Sequence, residues 1–99
     1  MKEFEIDYGK AKLIDYYAKF NALSDSIRLD ILNELNKGEL SAGDIVDEFA
    51  LPNSKASYHL AILKKSRYGY RKKYKNFIFY SLNLNGIQEA SICFGRFQK

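Results

Sequence analysis

Eight of the side chains between positions 49 and 88 are cations, Lys55, Lys64, Lys65, Arg67, Arg71, Lys72, Lys73 and Lys75, and no Asp or Glu falls among those forty residues. Lysine and arginine at that density, with no acid among them, are suited to neutralising phosphates and releasing their counterions. A surface made only for solvation would mix the two signs. Residues 1–48 carry the opposite balance, 11 acidic against 6 basic side chains, so the overall net charge of +4 conceals a division of the chain. Nucleic acid is the expected polyanionic partner. An anionic membrane surface fits less well, because such a surface selects a basic amphipathic helix, and here half of the cations gather where a turn is expected.

Other chemistry is sparsely provided for. One histidine (His59) and one cysteine (Cys93) exclude an intrachain disulfide and leave no Cys/His cluster for a structural zinc. The chain contains no Gly-x-Ser-x-Gly elbow, no Walker loop and no Gly-x-Gly-x-x-Gly, so an enzyme is not expected. Cys93, without a second cysteine to pair with, is expected to be a buried thiol rather than a redox sensor. The longest wholly apolar runs, Leu60–Leu63 and Phe77–Tyr80, are four residues each and too short to span a bilayer, and the charged N-terminus does not resemble a signal peptide. A cytoplasmic location is expected.

The elements that must position the cations follow from periodicity. With 99 residues, 46% of them hydrophobic, and no repeat, low-complexity tract or linker, one domain over residues 1–99 is expected. Residues 1–9 read as a loose arm. A first helix is expected from about Lys10 to Asn21, with Leu13, Ile14, Tyr17 and Phe20 at helical spacing. Ser24-Asp25 offers an N-cap to a second helix carrying Ile27, Ile31, Leu32 and Leu35, and Lys37-Gly38 ends it. Ser41-Ala-Gly-Asp44 has capping-box spacing and opens a third helix through about Phe49, with Ile45, Val46 and Phe49 inward. Pro52 forces a tight connection, and a fourth helix follows from about Asn53 to Ser66. Two short helices joined this closely make a helix-turn-helix.

At 100° per residue the fourth helix turns Ala56, Leu60 and Leu63 one way and Ser54, Tyr58, Ala61 and Lys65 the other, with Ser57 and Lys64 on one flank and Lys55 and Ile62 on the opposite flank. Apart from Ile62, the outward face is small, polar and basic, which suits base edges and phosphates. Tyr58 on that face is expected to touch DNA. His59 lies near the edge of the apolar face, where a histidine satisfying local hydrogen bonds is one reading. From Tyr70 to Leu82 the pattern changes to aromatic and β-branched residues around Lys73-Tyr-Lys-Asn76, a β-hairpin with a cationic tip. A last helix, about Leu84 to Phe97, carries Ile87, Ile92, Phe94 and Phe97, with Gly86 and Gly95 weakening it. The fold class is therefore mainly α with a small β-hairpin.

These segments together resemble a known family. Phe20-Asn-Ala-Leu-Ser-Asp-Ser-Ile-Arg-Leu-Asp-Ile-Leu32 is similar to the F-K-A-L-S-D-P-T-R-L-x-I-L signature of the ArsR family of winged-helix repressors. Gly38-Glu-Leu-Ser-Ala-Gly-Asp-Ile45, Ser57-Tyr-His-Leu60 with Leu63, and Phe79-Tyr-Ser-Leu82 match its later motifs in one register, over roughly residues 13–83. Within the family, Leu40-Ser-Ala-Gly-Asp44 is most similar to the metal-independent, SdpR-like autorepressors. The resemblance implies a winged helix-turn-helix in the order α-α-α-α-β-β-α, with the fourth helix as recognition helix and His59 at its DNA-facing base.

It also implies a homodimer joined through the first and last helices, by Leu13, Ile14, Tyr17, Phe20, Ile87, Ile92 and Phe94. Double-stranded DNA would then be bound through Ser54, Lys55, Ser57, Tyr58, His59, Lys64, Lys65, Arg71, Lys72, Lys73 and Lys75. The metal sensors of the family carry Cys-x-Cys in the third helix or Asp/His and His/Glu pairs on the last. This chain has Ser41 and Gly43 at the first positions and only Glu89 at the second, so no metal or other cofactor is expected.

Three positions depart from the family pattern. Ser26 replaces the proline at the second helix, Ser66-Arg67-Tyr68-Gly69 replaces A-G-L-V before the wing, and Lys75 stands at the wing glycine, which leaves Asn76 as the candidate for the left-handed turn conformation. The alternative function is an interaction module that keeps the winged-helix fold and binds protein or anionic membrane through its basic face.

Overall fold

A computed structural model describes residues 17–95; the side chains of Cys93 and Phe94 lie outside the description. The expected arm, the start of the first helix with Leu13 and Ile14, and Phe97 all fall outside the described residues. In chain order the elements are α1 (described over 17–22), α2 (Ser26–Leu35), β1 (Leu40–Ser41), α3 (Ala42–Phe49), α4 (Asn53–Lys65), β2 (Gly69–Tyr74), β3 (Phe77–Leu82) and α5 (Leu84–Gly95).

The caps explain most of these boundaries. The Asp25 side chain accepts from the Arg28 amide and starts α2, and the amides of Lys37 and Gly38 close it on the carbonyls of Glu34 and Leu35. At α3 the Ser41 hydroxyl accepts from the Asp44 amide while the Asp44 carboxylate accepts from the Ser41 amide, a reciprocal capping box. Ala50 then takes a left-handed conformation (φ 50°), and the Leu51 amide reaches back to the Val46 carbonyl, so α3 stops short and Pro52 can lead straight into α4.

The sheet has one strand more than the sequence indicates. β1 pairs antiparallel with β3, Leu40 opposite Tyr80 and Ser41 opposite Phe79, giving the order β1-β3-β2. Two residues carry too little alternation to announce a strand. The element order is thus α-α-β-α-α-β-β-α rather than α-α-α-α-β-β-α. The hairpin of β2 and β3 is as expected, with Tyr74 opposite Phe77 closing a two-residue loop. Its left-handed residue is Lys75 (φ 56°), however, and not Asn76. A two-residue hairpin loop needs positive φ at its first position in both of its favoured forms, which decides between the two.

One core joins the helices to the sheet. Ile31, Leu32 and Leu35 of α2, Ile45 of α3, Leu60 and Leu63 of α4, and Tyr68 are buried together, with Tyr80, Leu82 and Ile87 packed against them. Each fully buried leucine or isoleucine contributes about 1.5–3 kcal/mol relative to exposure. Phe49 packs on this core and Val46 is half-buried. Ile62, expected at the flank of the outward face, also packs against the core and so leaves that face polar.

Candidate nucleic-acid interface

Three residues separate α3 from α4, and the burial of Ala56, Leu60 and Leu63 fixes which side of α4 faces out. Ser54, Lys55, Ser57, Tyr58, Ala61, Lys64 and Lys65 are all exposed, Tyr58 to 59%. No side chain caps the first turn of α4, whose amides remain for another acceptor. Lys64 and Lys65 occupy its last turn, where cations also suit the helix dipole.

The wing stands beside this helix. Ser57, Leu60, Ala61 and Lys64 of α4 line a groove with Arg71 and Tyr80, which are cross-strand partners and therefore share the sheet face turned toward α4. Lys73 shares that face by alternation, whereas Lys72 lies on the opposite face with Tyr70 and Tyr74. Lys75 sits in the loop with its Nζ 5.4 Å from the centre of the Tyr74 ring. All four wing cations are exposed, and of them Arg71 shares the groove with Ser57 and Lys64 of α4.

His59 is the exception among the expected DNA contacts and is a correction to that set. It is only 4% exposed, and its Nδ1 lies 3.1 Å from Nη1 of Arg28 and 4.0 Å from Oδ1 of Asp25. Because the guanidinium can only donate, Nδ1 accepts and the ring proton is assigned to Nε2. Burial pushes the His59 pKa below the ordinary imidazole value, and the Arg28 and Lys55 charges push the same way, with Asp25 opposing. Burial raises the Asp25 pKa, but the Arg28 amide hydrogen bond and the facing charges of His59 and Arg28 outweigh it and leave the carboxyl below its usual range. His59 thus belongs to the back of α4, where local hydrogen bonds satisfy it.

Arg28 is the residue that periodicity cannot reveal. It is 5% exposed, and besides His59 its Nε donates to the Ala22 carbonyl at 2.7 Å and its Nη2 to the Asn21 carbonyl at 3.0 Å. One guanidinium thereby ties the end of α1, the start of α2 and the middle of α4 together. The only signal in the sequence is its place in the Asp25-Ser-Ile-Arg28 run.

The far end of α4 is held by the segment that departs from the family pattern. The amides of Arg67 and Tyr68 donate to the carbonyls of Lys64 and Leu63, a Schellman closure with Arg67 in the left-handed position usually given to glycine (φ 68°). Tyr68 is fully buried and its hydroxyl donates to the Lys19 carbonyl at 3.1 Å. Asn83 donates through Nδ2 to the Arg67 carbonyl and accepts at Oδ1 from the Gly86 amide, so it caps α5 and clamps the turn at once. A β-carbon on Gly86 would lie 1.7 Å from the Arg67 carbonyl oxygen, which is why a residue that weakens α5 by propensity stands there.

The residues expected at a dimer interface are divided. Tyr17, Phe20 and Ile92 are exposed, Ile87 is half-buried against the core, and Leu13, Ile14 and the Phe94 side chain are outside the description. Lys19, buried against the Tyr68 ring, reaches Glu89 of α5 at 3.8 Å. Among the described residues no group of three or more His, Cys, Asp or Glu side chains is gathered closely enough to hold a metal ion, and no helix is long and apolar enough to cross a membrane.

Residues 25–68, from the cap of α2 to the end of the Schellman turn, match the family described as bacterial regulatory protein, arsR family. The chain is 38% identical over 71 residues to the transcriptional repressor SdpR of Bacillus subtilis, covering 72% of this chain and 79% of the relative. It is 33% identical over 93 residues to the arsenical resistance operon repressor of the same organism, covering 89% of each. The homodimeric winged helix-turn-helix DNA-binding domain of a possible ArsR-family regulator from Mycobacterium bovis superposes with a TM-score of 0.76 at 22% identity, over 88% of this chain and 82% of that one. The fold is the winged helix-turn-helix of regulators and not that of an enzyme, and with two relatives above 30% identity across most of their length, the chain belongs to the arsR family of bacterial regulatory proteins.

Proposed function

We propose that the chain is a cytoplasmic transcriptional repressor, a single winged-helix domain over residues 1–99 that binds an inverted-repeat operator as a homodimer and does so without a metal. One observation carries this reading: the outward face of α4 presents Ser54, Lys55, Ser57, Tyr58, Lys64 and Lys65, with no acid anywhere between residues 49 and 88 to repel phosphate. Ser57 and Tyr58 read base edges in the major groove. Lys55, Lys64 and Lys65, with Arg71, Lys72, Lys73 and Lys75 of the wing, hold the backbone.

The exposed Tyr17, Phe20 and Ile92 support a second copy, as does the short site that one recognition helix can read. Two copies would set their recognition helices about one DNA turn, roughly 34 Å, apart. Metal independence is supported by the donor set, since the one histidine is buried with Nδ1 already engaged by Arg28.

The test is a titration of the chain with a random duplex and with the DNA upstream of its own gene, alongside sedimentation. A dimer that prefers the upstream DNA by about a thousandfold or more supports the reading. Equal, weak binding to both duplexes, together with binding to anionic vesicles or to a protein, would favour the interaction module instead.

A further inference from the structure

The wing carries one feature that neither phosphate contact nor base reading uses. Tyr74 and Phe77, the last cross-strand pair before the loop, are 58% and 60% exposed on the sheet face turned away from α4. A phenyl ring offers phosphate nothing, and closing the hairpin needs no aromatic pair, since β-branched residues serve a cross-strand position as well. Phe79 stands behind Phe77 on the same face, ring centres 6.3 Å apart, and is half-buried, so Phe77 projects from a supported base. Lys72 shares their face, Lys73 precedes Tyr74 on the opposite face and Lys75 lies in the loop over the Tyr74 ring, all three exposed. The tip is therefore an apolar edge in a collar of cations.

We propose that this tip is an aromatic wedge: Tyr74 and Phe77 enter the minor groove beside the major groove read by α4, partly unstack one base step and kink the duplex there. The proposal rests on the reading of the chain as a DNA-binding repressor. With α4 in the major groove, an element projecting beside it meets the phosphate backbone and then the neighbouring minor groove, and the cations of the collar match that path in charge. Two side chains flanking a two-residue loop are narrow enough for a groove about 6 Å wide, and apolar wedges between base steps are how minor-groove proteins bend DNA. Such a wedge favours the pyrimidine–purine steps, which unstack most easily, so the wing adds sequence preference where it makes no hydrogen bond.

The experiment uses the full chain and the duplex it selects from a random library, labelled at both ends for energy transfer. Three variants separate wedge from scaffold: Phe77→Thr keeps strand propensity and removes the wedge, Phe77→Leu keeps an apolar wedge, and Tyr74→Thr tests the partner. Wild type and F77L should shorten the end-to-end distance by a bend of about 20° or more, and F77T should lose most of it. Replacing the flanking pyrimidine–purine step by a stiff A-tract should cost wild type about tenfold in affinity, ~1.4 kcal/mol, and F77T much less. Specific binding with no bend, or with the same bend in F77T, overturns the wedge and leaves the repressor reading intact. Failure to select any duplex overturns both, and a change in sedimentation of F77T with its bend unaltered would make the face a protein contact instead.

Discussion

Exchanging Arg28 for methionine keeps most of the stem and removes the guanidinium from a site that is 5% exposed. Three contacts go with it, to the carbonyls of Ala22 and Asn21 and to Nδ1 of His59. Hydrogen bonds to a charged group are worth about 1.5–3 kcal/mol each, so the gross loss is roughly 4–9 kcal/mol. Two effects reduce it. The variant no longer buries a cation, which relieves several kcal/mol, and the Asn21 carbonyl keeps the amide and hydroxyl of Ser24 as donors. Ala22 is fully buried, so its carbonyl stays unpaired at about 1–3 kcal/mol. The net expectation is a loss of about 2–4 kcal/mol in urea unfolding, a large part of the stability of a small domain. An R28M protein within about 0.5 kcal/mol of wild type, the ordinary range for surface changes, would refute the assignment of Arg28 as the tie between α1, α2 and α4.

The same contact predicts the pH dependence. His59 has a lowered pKa in the folded chain, because of its burial first and then of Arg28 and Lys55, and an ordinary value of about 6.5 when unfolded. Between those two values the unfolded chain binds more protons than the folded one. Stability is therefore complete above about pH 6.5 and falls as the pH drops toward the folded pKa. Asp25 titrates below the usual carboxylate range, so its own loss comes at lower pH. In the variant His59→Asn an amide oxygen replaces Nδ1 as acceptor without titrating. The slope of stability below about pH 6.5 should shrink in H59N and also in R28M, where removal of the cation lets His59 protonate beside Asp25. Equal slopes in wild type and H59N would show that His59 does not carry the dependence.

Gly86→Ala should destabilise by about 2 kcal/mol or more in denaturant unfolding, despite the helix propensity that alanine adds, because its β-carbon meets the Arg67 carbonyl at 1.7 Å. Lys72→Ala and Lys75→Ala should weaken binding to all duplexes alike and lower the salt slope by about one unit per lost phosphate contact, read from titrations at several salt concentrations. Ser57→Ala and Tyr58→Ala should instead relax discrimination at particular base pairs, by roughly 1–3 kcal/mol each in competition against single-base operator variants. Operator affinity should be equal in EDTA and in micromolar zinc, cadmium or arsenite; a tenfold, chelator-reversible loss, about 1.4 kcal/mol, would reveal a metal site, with Cys93 between two copies the first place to look.

What the sequence made legible is what local rules control. Asp25 and the Ser41/Asp44 pair cap the helices their spacing announces, and rotation at 100° per residue sorts α4 correctly into Ala56, Leu60 and Leu63 inside and Ser54, Tyr58, Ala61 and Lys65 outside. The parts that escaped depend on residues distant in sequence. β1 exists because Leu40 and Ser41 meet Tyr80 and Phe79, and His59 is interior because Arg28, 31 residues away, donates to it. Gly86 looks like a flaw in α5 until the Arg67 carbonyl is brought against it. Lys75 is a different case: in a two-residue loop the position, not the residue type, demands positive φ, so lysine takes it ahead of the asparagine that follows.

That division has a functional consequence. α4 is held from behind at three places: the left-handed turn at Ala50 before it, Arg28 against His59 in its middle, and the Schellman turn at Arg67 after it, clamped by Asn83 and by the Tyr68 hydroxyl on the Lys19 carbonyl. Arg28, His59, Tyr68 and Asn83 are buried and so lie off the outward face of α4, yet together they set its angle. A change on the front of α4 removes one contact and should alter preference at one base pair. A change behind it tilts the whole row, so R28M, measured at a urea concentration and temperature where it remains folded, should lose specific affinity at every operator position together while its non-specific, salt-dependent binding through the wing persists.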